Sequence, residues 1–158
     1  MSVTTGIGWD VHRLAEGRPL ILGGVRIEHD RGLDGHSDAD VLTHAVIDAL
    51  LGAAGMGDIG EHFPDTDEAF RGADSLSLLR DVVALLGARE ILHVDVSVLL
   101  ERPKLAPHKE AIRDGLAGAL GVAPGRVNVK ATTGERLGFV GREEGVAALA
   151  VATLSARG

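Results

Sequence analysis

Two segments near the amino terminus carry residue types that bind metal ions. Asp10 and His12 flank a single valine, and His44 closes the segment Gly-His-Ser-Asp-Ala-Asp-Val-Leu-Thr-His over residues 35–44. Neutral imidazole nitrogen and carboxylate oxygen are ligands that zinc and other borderline metals accept, and three protein ligands leave one coordination position open. Asp10, His12 and His44 therefore predict a metal ion that can touch a substrate.

The secondary structure expected for these segments explains how the three side chains can meet. In a β-strand, Asp10 and His12 project from the same face because side chains alternate along the strand. A helix is expected to begin at Ser37, with Asp40 completing a capping box, and to carry His44 about two turns from its start. The strand and the helix can then bring the three ligands to one place.

The neighbours of His44 leave two interpretations open. Asp40 and Asp48 each lie one helical turn from His44, so either carboxylate is a candidate to orient the imidazole ring. A histidine taken alone is more often an ordinary surface residue or a hydrogen-bonded core residue than a metal ligand. The metal hypothesis therefore depends on the rest of the chain.

Composition narrows the class of protein. The length of 158 residues predicts one domain over residues 1–158. No apolar run approaches the ~20 residues of a membrane span, and no signal-peptide pattern is present, so we expect a cytoplasmic protein with no membrane partner. The formal net charge of −7 argues against nucleic-acid binding. The absence of cysteine excludes disulfides, thiolate nucleophiles and sulfur-ligated metals.

Hydrophobic patterning predicts an α/β or α+β fold of two layers. A mostly four-stranded mixed sheet is expected to be covered by helices on one face, with a small hairpin in addition. The segment over residues 38–54 is apolar on both sides, which predicts a helix buried on both sides. The expected elements are strands at 3–12, 94–100, 127–131 and 145–154, a hairpin at 20–28, and helices at 38–54, 75–86 and 109–120.

Two polar loops add candidate binding residues. Residues 57–67 are punctuated by glycine and proline and are either a solvated surface turn or a pocket wall in which Asp58 accepts hydrogen bonds from substrate hydroxyls. Residues 130–135 directly follow a predicted strand. Their hydroxyls and backbone amides could cradle phosphate, with Glu135 holding a hard cation such as Mg²⁺. The second motif is weak alone, because many strand-to-helix turns have a similar sequence.

Spaced motifs in the same order cover nearly the whole chain. They are GIGWDVH at 6–12, HSD at 36–38, DALLGA at 48–53, GDIG at 57–60, FPDTD at 63–67, GADS at 72–75, PK at 103–104, PH at 107–108, VNVKATT at 127–133, LGF at 137–139 and GREEG at 141–145. Together they resemble the 2-C-methyl-D-erythritol 2,4-cyclodiphosphate synthase family of the non-mevalonate route to isoprenoids. Agreement at so many separate motifs in the same order is stronger support for the family than any single motif.

The resemblance implies an activity and an assembly. The family is a phosphorus-oxygen lyase that converts 4-diphosphocytidyl-2-C-methyl-D-erythritol 2-phosphate to the 2,4-cyclodiphosphate and CMP, by attack of the 2-phosphate on the β-phosphate. It implies a homotrimer with active sites between subunits, which would also account for a helix buried on both sides. By resemblance, Asp10, His12 and His44 hold Zn²⁺, and Glu135 holds Mg²⁺ or Mn²⁺. His36 and Thr133 are implied as the catalytic residues that stabilise the transition state.

The resemblance also implies the walls of the substrate pocket. Asp58 and the loop at residues 63–67 would hold the erythritol portion, and residues 100–106 and 131–132 would surround the cytidine and its phosphate. Trp9, Phe139 and Arg142 are expected at a central channel, which in relatives can hold an isoprenoid diphosphate, although Arg142 is equally consistent with an intersubunit ion pair. The implied substrate-binding residues are Asp10, His12, His36, Ser37, Asp58, Ile59, Gly60, Phe63, Pro64, Asp65, Thr66, Asp67, Leu100, Lys104, Leu105, Ala106, Ala131, Thr132, Thr133, Gly134, Glu135, Phe139 and Arg142.

Some positions depart from the family pattern, and two rival functions remain. Trp9 stands where a smaller aromatic residue is expected, Gly134 replaces a hydroxyl residue, and Glu101-Arg102 is more charged than usual, which leaves the shape of the nucleotide wall open. A metal-dependent phosphohydrolase would use the same ligands but release inorganic phosphate. A non-catalytic metal-binding trimer would tolerate the loss of Asp58 and Thr133.

Overall fold

The computed structural model describes residues 2–156, which form a mixed sheet with helices on one face and a separate hairpin. Short 3₁₀ turns connect several elements. The strands and helices in chain order are β1 (Val3–Ala15), β2 (Leu20–Leu22), β3 (Val25–Ile27), β4 (Gly32–Asp34), α1 (Val41–Ala54), α2 (Ile59–His62), α3 (Ser75–Leu85), β5 (Ile91–Leu99), α4 (Lys109–Leu120), β6 (Val127–Thr132), α5 (Gly138–Gly141) and β7 (Gly145–Ser155).

The sheet has five strands in the order β4-β1-β7-β5-β6. Only β5 and β6 run parallel among these neighbours, so the predicted α+β class with a mixed sheet is confirmed. The predicted count of four strands is wrong because β4 adds an edge strand, in which Asp34 pairs with Arg13. A strand of three residues is too short to produce a recognisable alternation of apolar and polar side chains.

The hairpin and the three long helices lie where the sequence predicts them, but α1 begins later than expected. Its N-cap is Asp40, whose side chain accepts a hydrogen bond from the Thr43 amide at 3.0 Å, so the predicted helix start and capping box at Ser37 are wrong. The fully buried Asp40 carboxylate also accepts from the backbone amides of Gly23 and Gly24, at 3.0 and 2.8 Å. These bonds tie the hairpin turn to the start of α1.

Helix α1 is buried on both sides within one chain. It packs against strands β1, β7 and β5 of the sheet and against helix α3 on its other side. The predicted two-sided burial is therefore correct. The inference that a neighbouring subunit accounts for this burial is wrong, because the chain's own elements cover the helix.

Strand β1 approaches α1 closely because two glycines face the helix. A Cβ atom added at Gly8 would overlap the carbonyl oxygen of Ala45, and one added at Gly6 would overlap that of Ala49. Only a residue without a side chain allows the two backbones to come this near. The close approach sets the distance between the ligands on β1 and His44 on α1.

Gly8→Ala should therefore destabilise the protein by about 1–3 kcal/mol and weaken metal binding, because the added methyl group pushes α1 away from β1. Gly118→Ala is the matched control, since a Cβ atom there meets no other atom within 4 Å. It should be neutral or stabilising, as alanine favours a helix over glycine. Thermal unfolding and a metal titration of both variants test this, and equal behaviour would contradict the close-packing argument.

The opposite face of the sheet carries exposed apolar side chains. Ile7, Trp9 and Val11 alternate along β1 with residues that face α1, and Ile7 and Trp9 are 67% and 50% exposed. Val151, which pairs with Ile7 on the neighbouring strand β7, is also exposed. An exposed apolar patch of this kind marks an interaction surface.

No helix within residues 2–156 is both long enough and apolar enough to cross a membrane.

Candidate metal and substrate site

Three side chains from β1 and α1 converge on one point. Asp10 Oδ2 lies 3.0 Å from His12 Nε2 and 3.1 Å from His44 Nδ1. In the described part of the chain, these residues form the one group of three or more potential ligands whose donor atoms lie within 4.8 Å of one another. The period-two spacing of β1 and the close approach of α1 produce this arrangement.

The hydrogen bonds around the two rings show which nitrogen of each ring faces Asp10. His12 Nδ1 donates to the backbone carbonyl of Asp34 at 3.0 Å, since a carbonyl can only accept. His12 Nε2 is then left as a buried acceptor with no hydrogen-bond partner. His44 Nε2 contacts the Ser75 hydroxyl at 2.9 Å, which leaves Nδ1 toward Asp10. The Asp10 carboxylate and the unpartnered His12 Nε2 face each other as two acceptors, with His44 Nδ1 beside them, and this arrangement calls for a cation.

The ionisable groups of the site shift one another's pKa. Burial alone would raise the pKa of Asp10, but the neighbouring imidazoles of His12 and His44 outweigh burial and lower the pKa to about 2. Burial lowers the pKa of His12, and the Asp10 carboxylate outweighs it and raises that pKa above the ordinary value. The Asp10 carboxylate is therefore a fixed negative charge that favours a cation beside it.

A cleft of about 460 Å³ opens over these three residues. It brings together many of the residues predicted to bind substrate near the metal, namely His36, Ser37, Ile59, Gly60, Phe63, Pro64 and Asp65. Asp58 is exposed and caps α2 by accepting from the Glu61 amide at 3.1 Å. The backbone carbonyl of Asp67 accepts from His36 Nε2 at 3.0 Å, which holds the 63–67 loop against His36.

The acids predicted to orient His44 have other partners. Asp40 binds the hairpin turn and the start of α1, and Asp48 accepts from the Ile59 amide at 3.1 Å. The ring of His44 instead contacts the hydroxyls of Ser75 and Ser37, at 2.9 and 3.2 Å. The hypothesis that Asp40 or Asp48 orients the ring is therefore wrong.

The residues predicted to bind the nucleotide do not line the cleft of their own chain. Ala131 on β6 and Asp10 on β1 lie in the same row across the sheet, with one residue of β5 and one of β7 between them. Three strand spacings therefore separate the two residues, a distance of about 14 Å. Thr132 projects from the opposite, uncovered face. The predicted substrate-binding residues that do not line the cleft are Asp58, Thr66, Asp67, Leu100, Lys104, Leu105, Ala106, Ala131, Thr132, Thr133, Gly134, Glu135, Phe139 and Arg142.

The loop after β6 uses its backbone amides internally. The Glu101 carboxylate accepts from the amides of Gly134 and Arg136 at 2.8 and 3.1 Å, and Thr133 Oγ1 accepts from the Glu135 amide at 3.1 Å. Glu135 and Arg136 both have left-handed backbone conformations, which these bonds help to hold. The amides of Gly134 and Glu135 therefore have partners within the chain, whereas the Thr133 hydroxyl proton remains available to a phosphate oxygen, and phosphate binding by residues 130–135 stays a prediction.

Glu101, Ser75 and Asp38 are site residues that the sequence did not assign. For Glu101 a signal was present, because it follows β5 while the loop follows the parallel neighbour β6. The ends of parallel strands meet at one edge of a sheet.

Phe139 lies outside the cleft, in a separate pocket of about 250 Å³ beside Val11 and Gly145. Arg142 lies 3.4 Å from Glu144 within its own chain.

Comparisons with known proteins agree with this geometry. A sequence model of the YgbB family matches residues 3–155. The chain belongs to the YgbB family. One relative of this chain is the 2-C-methyl-D-erythritol 2,4-cyclodiphosphate synthase from Laribacter hongkongensis. The two sequences are 59% identical over 159 residues, which cover 99% of this chain and 98% of the relative. The activity is therefore that of a cyclodiphosphate synthase of the non-mevalonate pathway, a lyase that forms a cyclic diphosphate.

Solved structures show the same YgbB-family fold. The bifunctional IspDF from Campylobacter jejuni matches with a TM-score of 0.93 and 46% identity, over 97% of this chain and 42% of that longer chain. A 2C-methyl-D-erythritol-2,4-cyclodiphosphate synthase structure described as the CDP-bound form matches with a TM-score of 0.87 and 41% identity, over 96% and 99% of the two chains. These TM-scores and sequence identities show that this chain has the fold of the family.

Proposed function

We propose that Asp10, His12 and His44 hold a zinc ion in the cleft where the cyclic diphosphate is formed. The observation that carries this proposal is the buried His12 Nε2, which has no hydrogen-bond partner and faces the Asp10 carboxylate. Two imidazoles and one carboxylate are a donor set that suits zinc and leaves one position open. A bound zinc ion would supply Lewis-acid withdrawal of charge from phosphoryl oxygens.

The chain's own residues position the substrate, 4-diphosphocytidyl-2-C-methyl-D-erythritol 2-phosphate. An oxygen of its 2-phosphate forms a new bond to the β-phosphorus, and the bond from that phosphorus to CMP breaks. No protein nucleophile is needed, so the work of the protein is to bring the two phosphates together and neutralise their charge. We assign Asp58 to the erythritol hydroxyls, and His36 and Thr133 to the phosphoryl oxygens.

The proposal includes a homotrimer in which neighbouring chains complete each site. The cleft at Asp10 lies apart from the nucleotide side at Thr132, and the uncovered sheet face exposes Ile7 and Trp9. Burying this apolar face against other copies would join the two halves of the site. Phe139 lies beside Val11, and we assign Phe139 and Arg142 to a central channel that can take an isoprenoid diphosphate.

The nucleotide side and a second cation complete the site. The CDP named for one solved relative supports a cytidine diphosphate group on residues 100–106 and 131–132. Glu135 is exposed and has no ion-pair partner within residues 2–156, so its carboxylate is free to hold Mg²⁺ or Mn²⁺ together with substrate phosphate. We further propose that residues 1–158 form a single domain, of which residues 1, 157 and 158 lie outside the described part. We also propose a cytoplasmic location, since charged phosphorylated intermediates do not cross membranes freely.

A product assay tests the reaction. The purified protein, supplied with zinc, magnesium and the cytidylyl substrate, should release CMP and the cyclic diphosphate in equal amounts without inorganic phosphate. Phosphorus NMR distinguishes these products directly. Release of inorganic phosphate would instead support the metal-dependent phosphohydrolase, and absence of turnover would support a non-catalytic metal-binding protein.

Asp58→Asn tests the pocket wall. Asparagine caps a helix as well as aspartate, so α2 and the bound metal should be retained while the negative charge toward substrate hydroxyls is lost. We expect kcat/KM to fall by about 10- to 100-fold, as for the loss of a hydrogen bond to a charged group. Asp74→Asn, at the exposed N-cap of α3, is the control and should keep wild-type kinetics. Unchanged kinetics in Asp58→Asn would make the loop a surface turn.

A further inference from the structure

A chain of hydrogen bonds runs from Asp38 through Ser75 to the ring of His44. The Ser75 hydroxyl contacts Asp38 Oδ1 and lies 2.9 Å from His44 Nε2. Asp38 is itself held, because its Oδ2 accepts from the Ser75 amide at 2.9 Å and its Oδ1 from the Asp40 amide at 3.1 Å. Ser75 is completely buried at the start of α3.

The direction of each hydrogen bond in this chain follows from the groups involved. A carboxylate has no hydrogen to donate, so the single hydroxyl proton of Ser75 goes to Asp38. The Ser75 oxygen can then only accept from His44, which places a proton on Nε2. The lone pair of His44 is consequently on Nδ1, the nitrogen that faces Asp10 at 3.1 Å.

We propose that Ser75 and Asp38 are positioning residues that fix the tautomer and the orientation of His44 as a metal ligand. This inference rests on the proposed metal site and deepens it. An imidazole that ligates a metal through one nitrogen commonly donates its other N–H to a protein acceptor, and loss of that acceptor weakens metal binding by about 10- to 100-fold. Ser37 is a weaker partner, because its oxygen lies 3.2 Å from the ring and already accepts from the Ala39 amide.

Zinc affinity, measured by competition with a chelator, tests the role of Ser75. Ser75→Ala should bind zinc about 10- to 100-fold more weakly than the wild-type chain, and Ser75→Thr should restore most of the affinity because it keeps a hydroxyl. Ser77→Ala is the matched control on the same helix, since the Ser77 hydroxyl donates to Asp74 and is exposed. It should bind zinc as tightly as the wild-type chain.

A second measurement needs no substitution. Nitrogen-15 NMR of the zinc-loaded wild-type chain should show zinc on Nδ1 of His44 and a proton on Nε2. Zinc on Nε2, or equal zinc affinity in Ser75→Ala and wild type, would overturn the positioning role. Failure of the wild-type chain to bind zinc at all would instead overturn the proposed metal site, so the two failures are distinguishable.

Discussion

His44→Ala should remove bound zinc and abolish turnover while the chain stays folded. Asp10 and His12 alone supply two ligands, which is too few for a zinc site that keeps one position open. The loss of zinc affinity should exceed the ~100-fold expected when only the hydrogen-bond acceptor of a ligating imidazole is removed. Alanine favours a helix, so position 44, at the end of the first turn of α1, tolerates it.

Metal analysis, turnover and thermal unfolding of the same preparation test this prediction. His108→Ala is the control, because His108 lies before α4 and has no part in the cleft. It should keep both zinc and activity. Undiminished zinc in His44→Ala would show that the metal, if bound, is held elsewhere, whereas a collapse of the unfolding transition would show that His44 acts mainly in folding.

Mixed assemblies of two inactive variants should regain activity. Asp58 caps α2, whose first residues line the cleft, and Thr133 lies in the separate loop after β6. We propose that these two sides meet across a subunit interface. Asp58→Ala alone and Thr133→Ala alone should be inactive. Random mixing at equal amounts around a cyclic trimer should give intact sites at about one interface in four, where an Asp58-intact side meets a Thr133-intact side.

Turnover and KM of verified mixed trimers decide the outcome. The mixture should reach about a quarter of wild-type turnover with the wild-type KM, since an intact site contains no substitution. Mixing after each variant has assembled separately is the control and should give no recovery. No recovery in verified mixed trimers would mean that each site lies within one chain, and the interface proposal would be withdrawn.

Local patterns in the sequence were sufficient for most secondary structure. The period-two spacing of Asp10 and His12 and the apolar pattern of α1 correctly predicted a strand and a two-sided buried helix. Strand β4 was missed because three residues carry no periodic signal. The start of α1 was misplaced because Ser37 and Asp40 are both good capping residues, and only the contacts of Asp40 with the hairpin turn distinguish them.

The sequence by itself determined which residue types are available as ligands and that Asp10 and His12 share one face of a strand. The tertiary structure alone decided which nitrogen of each ring faces the metal position, because that depends on the Asp34 carbonyl and the Ser75 hydroxyl, distant in sequence. It also decided that Glu101 accepts hydrogen bonds from the amides of Gly134 and Arg136 in the loop after β6. Serine, glutamate and a backbone carbonyl occur throughout any chain, so their types predict no partner, and only folding brings each to the atom that it binds.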